Sequence, residues 1–299
     1  MDIVDGQVHC NVLGTETTLA IMDAIGIQSV LIDEYLYPDE KGSLLPGYRL
    51  ADGGFRPNGP GAEAAAMAHP DRFAFLMRVD PSDTAPEGWI ESLATSPHLK
   101  ALRVIIFTPF ERAAFEAGGL DRLFAMARKH GLPMFVTCPD WVPHLAQYAR
   151  RFPDLQFVID HCGAAFGAPW GQATIDDTIA MAEYKNVALK WAHAPSFLSV
   201  EPYPYPDMTP KLARALDAFG PERMMWASDY TITRGRQNWA EALFYLRHSP
   251  ALSDSDKEWI LGRTARTLLK WPAPENPVQP KAMHPTRIGP RPAQSSGTS

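Results

Sequence analysis

The feature that most constrains this chain is a regular alternation of apolar strand-like runs and amphipathic helical patterns, repeated eight times. Runs rich in Val, Ile, Leu and Phe occur at 3–8, 28–34, 73–80, 99–107, 133–138, 156–161, 186–192 and 224–229. Helical patterns occur at 15–25, 61–69, 86–95, 119–130, 141–152, 173–184, 209–219 and 237–247. Strands that alternate with helices of this length form right-handed βαβ units, and eight such units close into a barrel. The pattern therefore predicts an α/β fold, a (β/α)8 TIM barrel.

An open doubly wound sheet is the alternative arrangement of the same units. Such a sheet usually carries a Gly-rich phosphate-binding loop after its first strand, and the segment Asp5-Gly6-Gln7-Val8-His9-Cys10-Asn11 is not one. We therefore expect one barrel domain over residues 1–271, followed by a Pro/Ser-rich tail at 272–299 that lacks apolar periodicity. Two long irregular stretches, 35–60 and 193–208, are expected to project over the C-terminal mouth of the barrel as lids.

Composition and charge narrow the choice of partners. The 299 residues carry a formal net charge of −6, which disfavours nucleic acid because neutralising phosphates requires a basic face. No apolar run approaches the length that crosses a bilayer, and the N-terminus lacks the pattern of a signal peptide. Three cysteines, Cys10, Cys138 and Cys162, cannot form a paired framework. We therefore expect a cytoplasmic protein with reduced thiols and a small-molecule partner, and a homodimer as the default if it associates.

Polar side chains lie at the ends of several predicted strands. Asp5, Gln7 and His9 alternate along the first strand and are expected to share one face. Other strand ends carry Arg78 with Asp80, Arg103, His161, Lys190 and Asp229. Catalytic residues of parallel barrels come from the C-terminal ends of several strands, so we expect these side chains to converge at one mouth. Taken singly, each could be structural, because an interior arginine needs a carboxylate partner in any case.

Three motifs, in order along the chain, resemble those of a known family. They are Asp5-x-Gln7-x-His9 in the first strand, Asp160-His161-Cys162-Gly163 at the sixth and Trp226-Ala227-Ser228-Asp229-Tyr230 at the eighth. Together they resemble the amidohydrolase superfamily, and most nearly its amidohydrolase-related group. That group includes sugar lactonases, 2-pyrone-4,6-dicarboxylate lactonase and nonoxidative decarboxylases of aromatic acids. The resemblance extends over residues 3–271 and includes the closing helix at 259–266, where Thr264 stands at a position that is commonly Asn.

The resemblance implies roles for individual residues. The strand-eight Asp of the family, a general base that activates water, falls on Asp229, and the strand-six His falls on His161. The first-strand His-x-His of the family is Gln7-x-His9 here, so His9 joins them as a catalytic candidate. The strand-four arginine that can hold a substrate carboxylate falls on Arg103. We expect substrate contacts from Gln7, Arg103, Arg78, Lys190 and Tyr230.

The metal ligands of the family are incomplete in this sequence. Gln7 replaces one histidine, and the strand-five histidine of metal-dependent members is replaced by Thr137 or Cys138. Neutral amide and hydroxyl oxygens are poor zinc ligands, so we expect a site that works without a metal cofactor. The alternative is one divalent ion, zinc, held by His9, His161 and Asp229. His193 is interpreted as a residue of the rim.

Three functions remain open from the sequence. The first is a hydrolase that opens a small carboxylated lactone or ester, for example in aromatic-compound breakdown, with water activated by Asp229. The second is a metal-dependent nonoxidative decarboxylase of an aromatic carboxylic acid, which the incomplete ligand set disfavours. The third is a barrel that binds a small molecule without turnover, which the joint presence of His9, His161 and Asp229 disfavours. We therefore predict an enzyme, with hydrolysis as the favoured reaction.

Overall fold

A computed structural model describes residues 1–9, 14–33, 47–51, 53–164, 173–231 and 237–278. Cys10, much of the predicted lid at 35–60 and the tail from residue 279 onward lie outside these ranges. The predicted domain boundary at residue 271 therefore stays a prediction.

Eight parallel strands of the described residues form one sheet that curves into a nearly closed barrel. The strands are β1 (Val4–Val8), β2 (Ser29–Ile32), β3 (Gly47–Arg49), β4 (Phe55–Pro57), β5 (Phe73–Arg78), β6 (Leu99–Ile105), β7 (Met134–Thr137), β8 (Phe157–Ile159), β9 (Val187–Ala192) and β10 (Met224–Ala227). β3 and β4 form a separate antiparallel hairpin, and the other strands are neighbours in the order β1-β2-β5-β6-β7-β8-β9-β10. Each predicted strand region contains one barrel strand, so the predicted TIM barrel is confirmed.

Along most barrel strands, the inward-facing side chain is apolar at one position and polar at the next inward position, two residues later. The lower layer of the interior is apolar and contains Val4, Leu31, Ala74, Leu76, Ala101, Phe135, Val158, Ala188 and Met225. Because side chains alternate faces with period two, the next inward position on six strands lies two residues further on. Those six positions hold Asp33, Arg78, Arg103, Thr137, Asp160 and Lys190. The sheet therefore places a polar layer directly above a sealed apolar one.

The first strand departs from regular alternation, and this overturns one prediction. The pairing of β1 with β2 shifts register between Asp5 and Val8. Gln7 accepts a hydrogen bond from Lys190 in the barrel interior. Asp5 instead accepts from the backbone N–H of Ser228 at 2.8 Å and from the indole N–H of Trp239 at 2.6 Å. The expectation that Asp5 shares a face with Gln7 and His9 is therefore wrong, because the irregularity turns Asp5 toward β10 and Trp239.

Asp5 bridges the junction between β10 and β1, which lacks the ladder that joins the other neighbouring strands. The backbone N–H of Gln7 also donates to Asp5, at 3.1 Å, and the backbone N–H of Asp229 donates to the Gln7 carbonyl at 3.0 Å. Burial raises the pKa of Asp5 to about 6, although its hydrogen bonds with Ser228 oppose the shift. Barrel closure thus depends on a buried carboxylate.

Helices surround the barrel. They are α1 (Thr15–Ile25), α2 (Pro60–Ala68), α3 (Glu87–Leu93), α4 (Pro109–Glu116), α5 (Asp121–Lys129), α6 (Leu145–Arg151), α7 (Asp176–Ala180), α8 (Ala194–Leu198), α9 (Met208–Phe219), α10 (Trp239–Arg247), α11 (Asp254–Glu258) and α12 (Thr264–Leu268). Each predicted helical region overlaps one of these helices. Three helices of the described residues are absent from the prediction. They are α8, inside the predicted lid at 193–208, α11, just before the predicted closing helix at 259–266, and α4, whose Thr108/Glu111 capping box is a readable sequence signal. Among the described residues, no helix combines the length and apolar character that a membrane crossing requires.

The C-terminal helices press against the first residues of the chain. A π-helical turn, Trp259–Arg263, joins α11 to α12, and a Cβ on Gly262 would lie 1.9 Å from the Asp2 carbonyl oxygen. Arg266 donates to both carboxylate oxygens of Asp2 at 2.9 Å. Glycine at position 262 therefore allows the closing helices to seal the barrel beneath β1.

Replacing Gly262 with Ala should lower the free energy of unfolding by about 1–3 kcal/mol, because the new methyl group meets backbone rather than a flexible side chain. The matched control is Gly88→Ala in α3, where a new Cβ would have no atom within 4 Å. There alanine should stabilise the protein by roughly 0.5–1 kcal/mol through its helix propensity. Chemical denaturation measures both variants, and equal effects would contradict the close approach at Gly262.

The burial of Asp5 leads to a prediction about pH. Its pKa of about 6 exceeds the ordinary 3.8, so its contribution to stability is fully present below about pH 4 and is lost as the pH rises through about 6. Asp5→Asn cannot ionise, so its free energy of unfolding relative to the natural protein should improve by roughly 2–2.5 kcal/mol between pH 4 and pH 7. A constant offset is expected as well, because the new amide N–H group faces the Trp239 indole N–H. Urea denaturation across this pH range measures the difference, and parallel profiles would count against a buried, proton-binding Asp5.

Candidate active site

The polar layer of the barrel is a network of buried charges. The Arg103 guanidinium pairs with Asp33 through Nη1 and with Asp160 Oδ2 through Nε, the latter at 2.7 Å. Lys190 Nζ lies 2.5 Å from Asp160 Oδ1 and also donates to Gln7 Oε1. Each of these side chains is at most 6% exposed. We call the network of Asp33, Arg103, Asp160 and Lys190 the charged floor.

The opposite charges of the floor offset part of the free-energy cost of burying one another. Burial alone would raise the pKa of Asp160, but Arg103 and Lys190 outweigh it and hold that pKa well below its ordinary range. Burial lowers the pKa of Lys190, and Asp160 only partly opposes this. The floor has two cations and two carboxylates, so it is neutral in sum. A balanced set of this kind can remain ionised inside a protein when each charge keeps its partner.

Above the floor, Asp229 lies among three imidazoles. Its Oδ1 is 3.0 Å from His9 Nε2, and its Oδ2 is 3.0 Å from His161 Nε2. His193 Nε2 contacts the Asp229 backbone oxygen at 2.8 Å and Oδ2 at 3.7 Å. All four residues are buried. Water or a substrate group that enters here would meet one carboxylate and three imidazoles together.

Backbone geometry turns these side chains toward one another. His161, His193 and Asp229 each follow a barrel strand and have φ values of 50°, 56° and 47°. Non-glycine residues rarely adopt this left-handed conformation, which costs free energy and is concentrated at functional sites. His161 also connects the two levels of the site, because its Nδ1 lies 3.0 Å from Asp160 Oδ1.

The predicted trio of His9, His161 and Asp229 is brought together by the fold, but one residue of the cluster is not among the predicted site residues. His193, which the sequence indicates as part of the rim, instead lies against Asp229. The sequence position of His193 could have identified it, because it is the first residue after β9 and strand ends carry the other residues of the cluster. Lys190, the predicted functional residue of that strand, lies three residues earlier and deeper in the barrel.

The predicted substrate-contacting residues fall into two groups. Lys190, Gln7 and Arg103 are 0%, 1% and 5% exposed, and the guanidinium nitrogens of Arg103 contact Asp33, Asp160, Thr137 and the His161 ring. Burial therefore favours a positioning role for these three residues over direct binding. Arg78, aligned with Arg103 on the neighbouring strand, is only half-buried, and Tyr230 stacks on Trp239 with ring centroids 4.3 Å apart. Their roles in binding stay predictions.

The environment separates the pKa values of the mouth residues. Burial would raise the pKa of Asp229, but His193 and His9 outweigh it, so this pKa lies well below its ordinary range. Burial lowers the pKa of His193 to about 4. Burial opposes protonation of His9 too, but there Asp229 prevails and the net shift of the pKa is upward. The site therefore favours an ionised Asp229, a neutral His193 and a protonated His9.

The donor set fits a divalent metal ion. The ligand atoms of His161, His193 and Asp229 all lie within 4.8 Å of one another. Zinc bonds of about 2.0–2.2 Å in a tetrahedral site place ligand atoms roughly 3.3–3.6 Å apart. Asp229 Oδ2 lies 3.0 Å from His161 Nε2 and 3.7 Å from His193 Nε2, on either side of that spacing. This set differs from the predicted one, because His193 takes the place of His9. His9 faces the other carboxylate oxygen, and its Nδ1 is buried without a hydrogen-bond partner among the described residues.

Comparison of the sequence with known families identifies the family of the chain. A sequence model of the family described as Amidohydrolase matches residues 62–271, most of the chain. The chain therefore belongs to the amidohydrolase family, and the protein is an enzyme of that family. The predicted resemblance is confirmed.

Individual relatives include a lactonase and a decarboxylase. The chain is 27% identical to the L-fucono-1,5-lactonase of Burkholderia ambifaria over 169 residues, 52% of this chain and 54% of that enzyme. It thus spans about half the length of this relative. A zinc-bound amidohydrolase from Burkholderia multivorans superposes with a TM-score of 0.66 at 16% identity, covering 91% of this chain and 100% of that one. The 5-carboxyvanillate decarboxylase of Sphingomonas paucimobilis superposes with a TM-score of 0.60 at 18% identity, covering 85% and 82%. At these identities the two structures establish a shared fold.

Lys190→Met should lower the free energy of unfolding by about 3–5 kcal/mol, because it leaves the buried Asp160 with one cation fewer. The matched control is Lys129→Met, which removes an ion pair with Glu91 between side chains that are 58% and 48% exposed. That variant should leave the denaturation midpoint unchanged, since exposed pairs contribute little. Urea denaturation at neutral pH measures both. If Lys190→Met behaved like its control, the charged floor would not be a structural element.

Proposed function

We propose that this protein is a hydrolase that opens a small carboxylated lactone or ester with a water molecule activated at Asp229. The observation that carries the proposal is the position of the Asp229 carboxylate, 3.0 Å from imidazoles on both sides. Groups whose environments drive their pKa values in opposite directions are suited to act as a catalytic base and acid. Asp229 and His9 form such a pair, because the pKa of Asp229 is lowered and that of His9 is raised.

The proposed reaction divides proton transfer between these two residues. Asp229 orients the attacking water and takes its proton as the water oxygen bonds to the substrate carbonyl carbon. His161 holds the Asp229 carboxylate in place through the 3.0 Å contact between Nε2 and Oδ2. The carbonyl oxygen becomes negative as the tetrahedral intermediate forms, and the positive charge of protonated His9 stabilises it. His9 then donates its proton to the leaving oxygen as the ring or ester bond breaks. The proton held by Asp229 returns to His9 across their 3.0 Å contact, which restores the starting state.

A metal ion would be held by His161, His193 and Asp229, for which the neutral state of His193 and the ionised state of Asp229 are suited. When bound, such an ion supplies Lewis acidity that lowers the pKa of a bound water. His9 faces Oδ1 rather than Oδ2, so it would stay beside the carboxylate when an ion is bound. Because the charge of Asp229 raises the pKa of His9, a cation on Asp229 would lower that pKa and make His9 a stronger acid.

Arg78 is the proposed anchor for the carboxylate of the substrate. It lies on the strand next to Arg103 and is less buried. Arg103 is 5% exposed, so burial limits its access to a substrate. A half-buried guanidinium can bind a carboxylate in the bidentate mode that arginine favours.

Nonoxidative decarboxylation of an aromatic acid is the second candidate. The observation in its favour is His193, which restores a third good donor to a ligand set that the sequence indicates to be incomplete. Release of carbon dioxide from hydroxybenzoates by the purified protein, with no hydrolysis across a lactone and ester panel, would establish it in place of hydrolysis.

Asp229→Asn should reduce kcat for lactone or ester hydrolysis by about 10²- to 10⁴-fold, because the amide cannot accept the proton of water. The control is Asp154→Asn, at an exposed ion pair with Arg128, which should keep the full rate. Steady-state kinetics on a lactone panel provide the measurement, with metal content determined by mass spectrometry for each variant. This separates lost proton transfer from lost metal. A near-full rate for Asp229→Asn would end its assignment as the base.

A further inference from the structure

A groove of about 760 Å³ lies on the outside of the barrel, between α2 and α3. Phe75 and Met77 of β5, both buried, line its base. The two helices supply its walls, with Met67 from α2 and Trp89 and Leu93 from α3. We call it the outer groove. Met67 is 66% exposed, so the groove has an apolar wall that a bound segment can cover.

The last described residue of the chain is held close to this groove. The amide nitrogen of Gln28, just before β2, donates to the Val278 carbonyl at 2.6 Å, and its amide oxygen accepts from the Val278 N–H at 2.8 Å. The Gln28 carbonyl accepts from Arg72 Nε at 2.7 Å. Arg72 lies in the turn between α2 and β5. Val278 is therefore held beside the turn that follows α2, the helix that supplies Met67.

The chain that follows Val278 can reach the outer groove. β2, β5 and β6 are successive neighbours in the sheet, so the turns before them lie side by side. His98 precedes β6, lines the groove and accepts from the Phe75 N–H at 3.0 Å. The step from β2 to β6 is only about 10 Å. Residues 279–299 can span up to about 70 Å when extended.

The composition of residues 279–299 suits the lining of the outer groove. The segment contains four prolines and neither Asp nor Glu. Its basic residues are Lys281, Arg287 and Arg291. Proline-rich segments favour the polyproline II conformation, which grooves lined by aromatic side chains recognise. The outer groove offers the Trp89 ring and, at its edge, the exposed carboxylate of Glu63.

We propose that the outer groove is the docking site for the tail of the same chain, residues 279–299. In this arrangement the prolines of the tail cover Met67 and Trp89, and its basic side chains pair with Glu63. The contact of Gln28 with Val278 keeps the tail near the groove and raises its effective concentration there, so that weak contacts suffice. The docking is independent of the proposed reaction at Asp229, because the groove lies on the outer face of β5.

Photo-crosslinking of the intact chain tests the proposal. With p-benzoylphenylalanine in place of Met67, crosslinks should form mainly to residues 279–299, in a product that migrates as a monomer and is mapped by peptide mass spectrometry. The matched control places the same photoreactive residue at Phe110 of α4, which is 68% exposed and does not line the groove. The control should crosslink to the tail many-fold less.

Three crosslinking results would overturn the proposal. They are equal crosslinks to the tail from both positions, crosslinks from position 67 to residues 34–46 instead of the tail, and crosslinks that join two copies of the chain. The last result would mean that the groove binds a second molecule rather than the tail of its own chain.

Charge reversal tests the electrostatic part of the proposal. Glu63→Lys should lower the yield of crosslinks from position 67 to the tail several-fold, because it sets a like charge against the basic segment. Added salt should lower the yield of the unreversed protein, since it screens exposed charges. The matched control is Glu16→Lys, because Glu16 and Glu63 both lie in the first turn of a helix and are exposed. It should leave the yield unchanged, and equal yields for the two variants would overturn the pairing of the tail with Glu63.

Discussion

The site depends on the buried pairing of Arg103 and Lys190 with Asp33 and Asp160. These four charges cancel, so the floor itself places no net charge inside the barrel. Asp229 stands above it as an additional carboxylate, and the raised pKa of His9 beside it favours a protonated, positively charged imidazole. Asp229 and His9 therefore form a charge pair that is separate from the floor. His161, between Asp160 and Asp229, transmits the geometry of the floor to that pair.

The first strand contacts the closure of the barrel, the charged floor and the residues around Asp229. The backbone of Gln7 joins Asp5 and Asp229, its amide oxygen accepts from Lys190, and its amide nitrogen lies 3.4 Å from His9 Nε2. The same residue therefore takes part both in barrel closure and in the site. Glutamine at this position can accept from the Lys190 ammonium group through its amide oxygen, whereas a histidine has no carbonyl oxygen for this contact.

The barrel does not by itself decide the reaction. It is shared with a decarboxylase and with a zinc-bound amidohydrolase at 18% and 16% identity, and the lactonase relative is matched over about half of its length. The residues of the mouth, and not the shared barrel, therefore carry the chemistry that distinguishes one reaction from another.

The sequence by itself determined the barrel, because apolar runs alternating with amphipathic helices have few ways to bury both faces of a parallel sheet. It also determined that His9, His161 and Asp229 would meet, since strand ends of a barrel share one mouth. Only the tertiary structure decided which polar residues pair with each other. Asp33 and Asp160 proved to be the partners of Arg103, because the inward positions of β2 and β8 lie at its height, and no local pattern encodes that height. The register shift in β1 separated Asp5 from Gln7, and the left-handed turn after β9 brought His193 to Asp229. Each depends on contacts between strands that are distant in sequence, which alternation within a single strand cannot reveal.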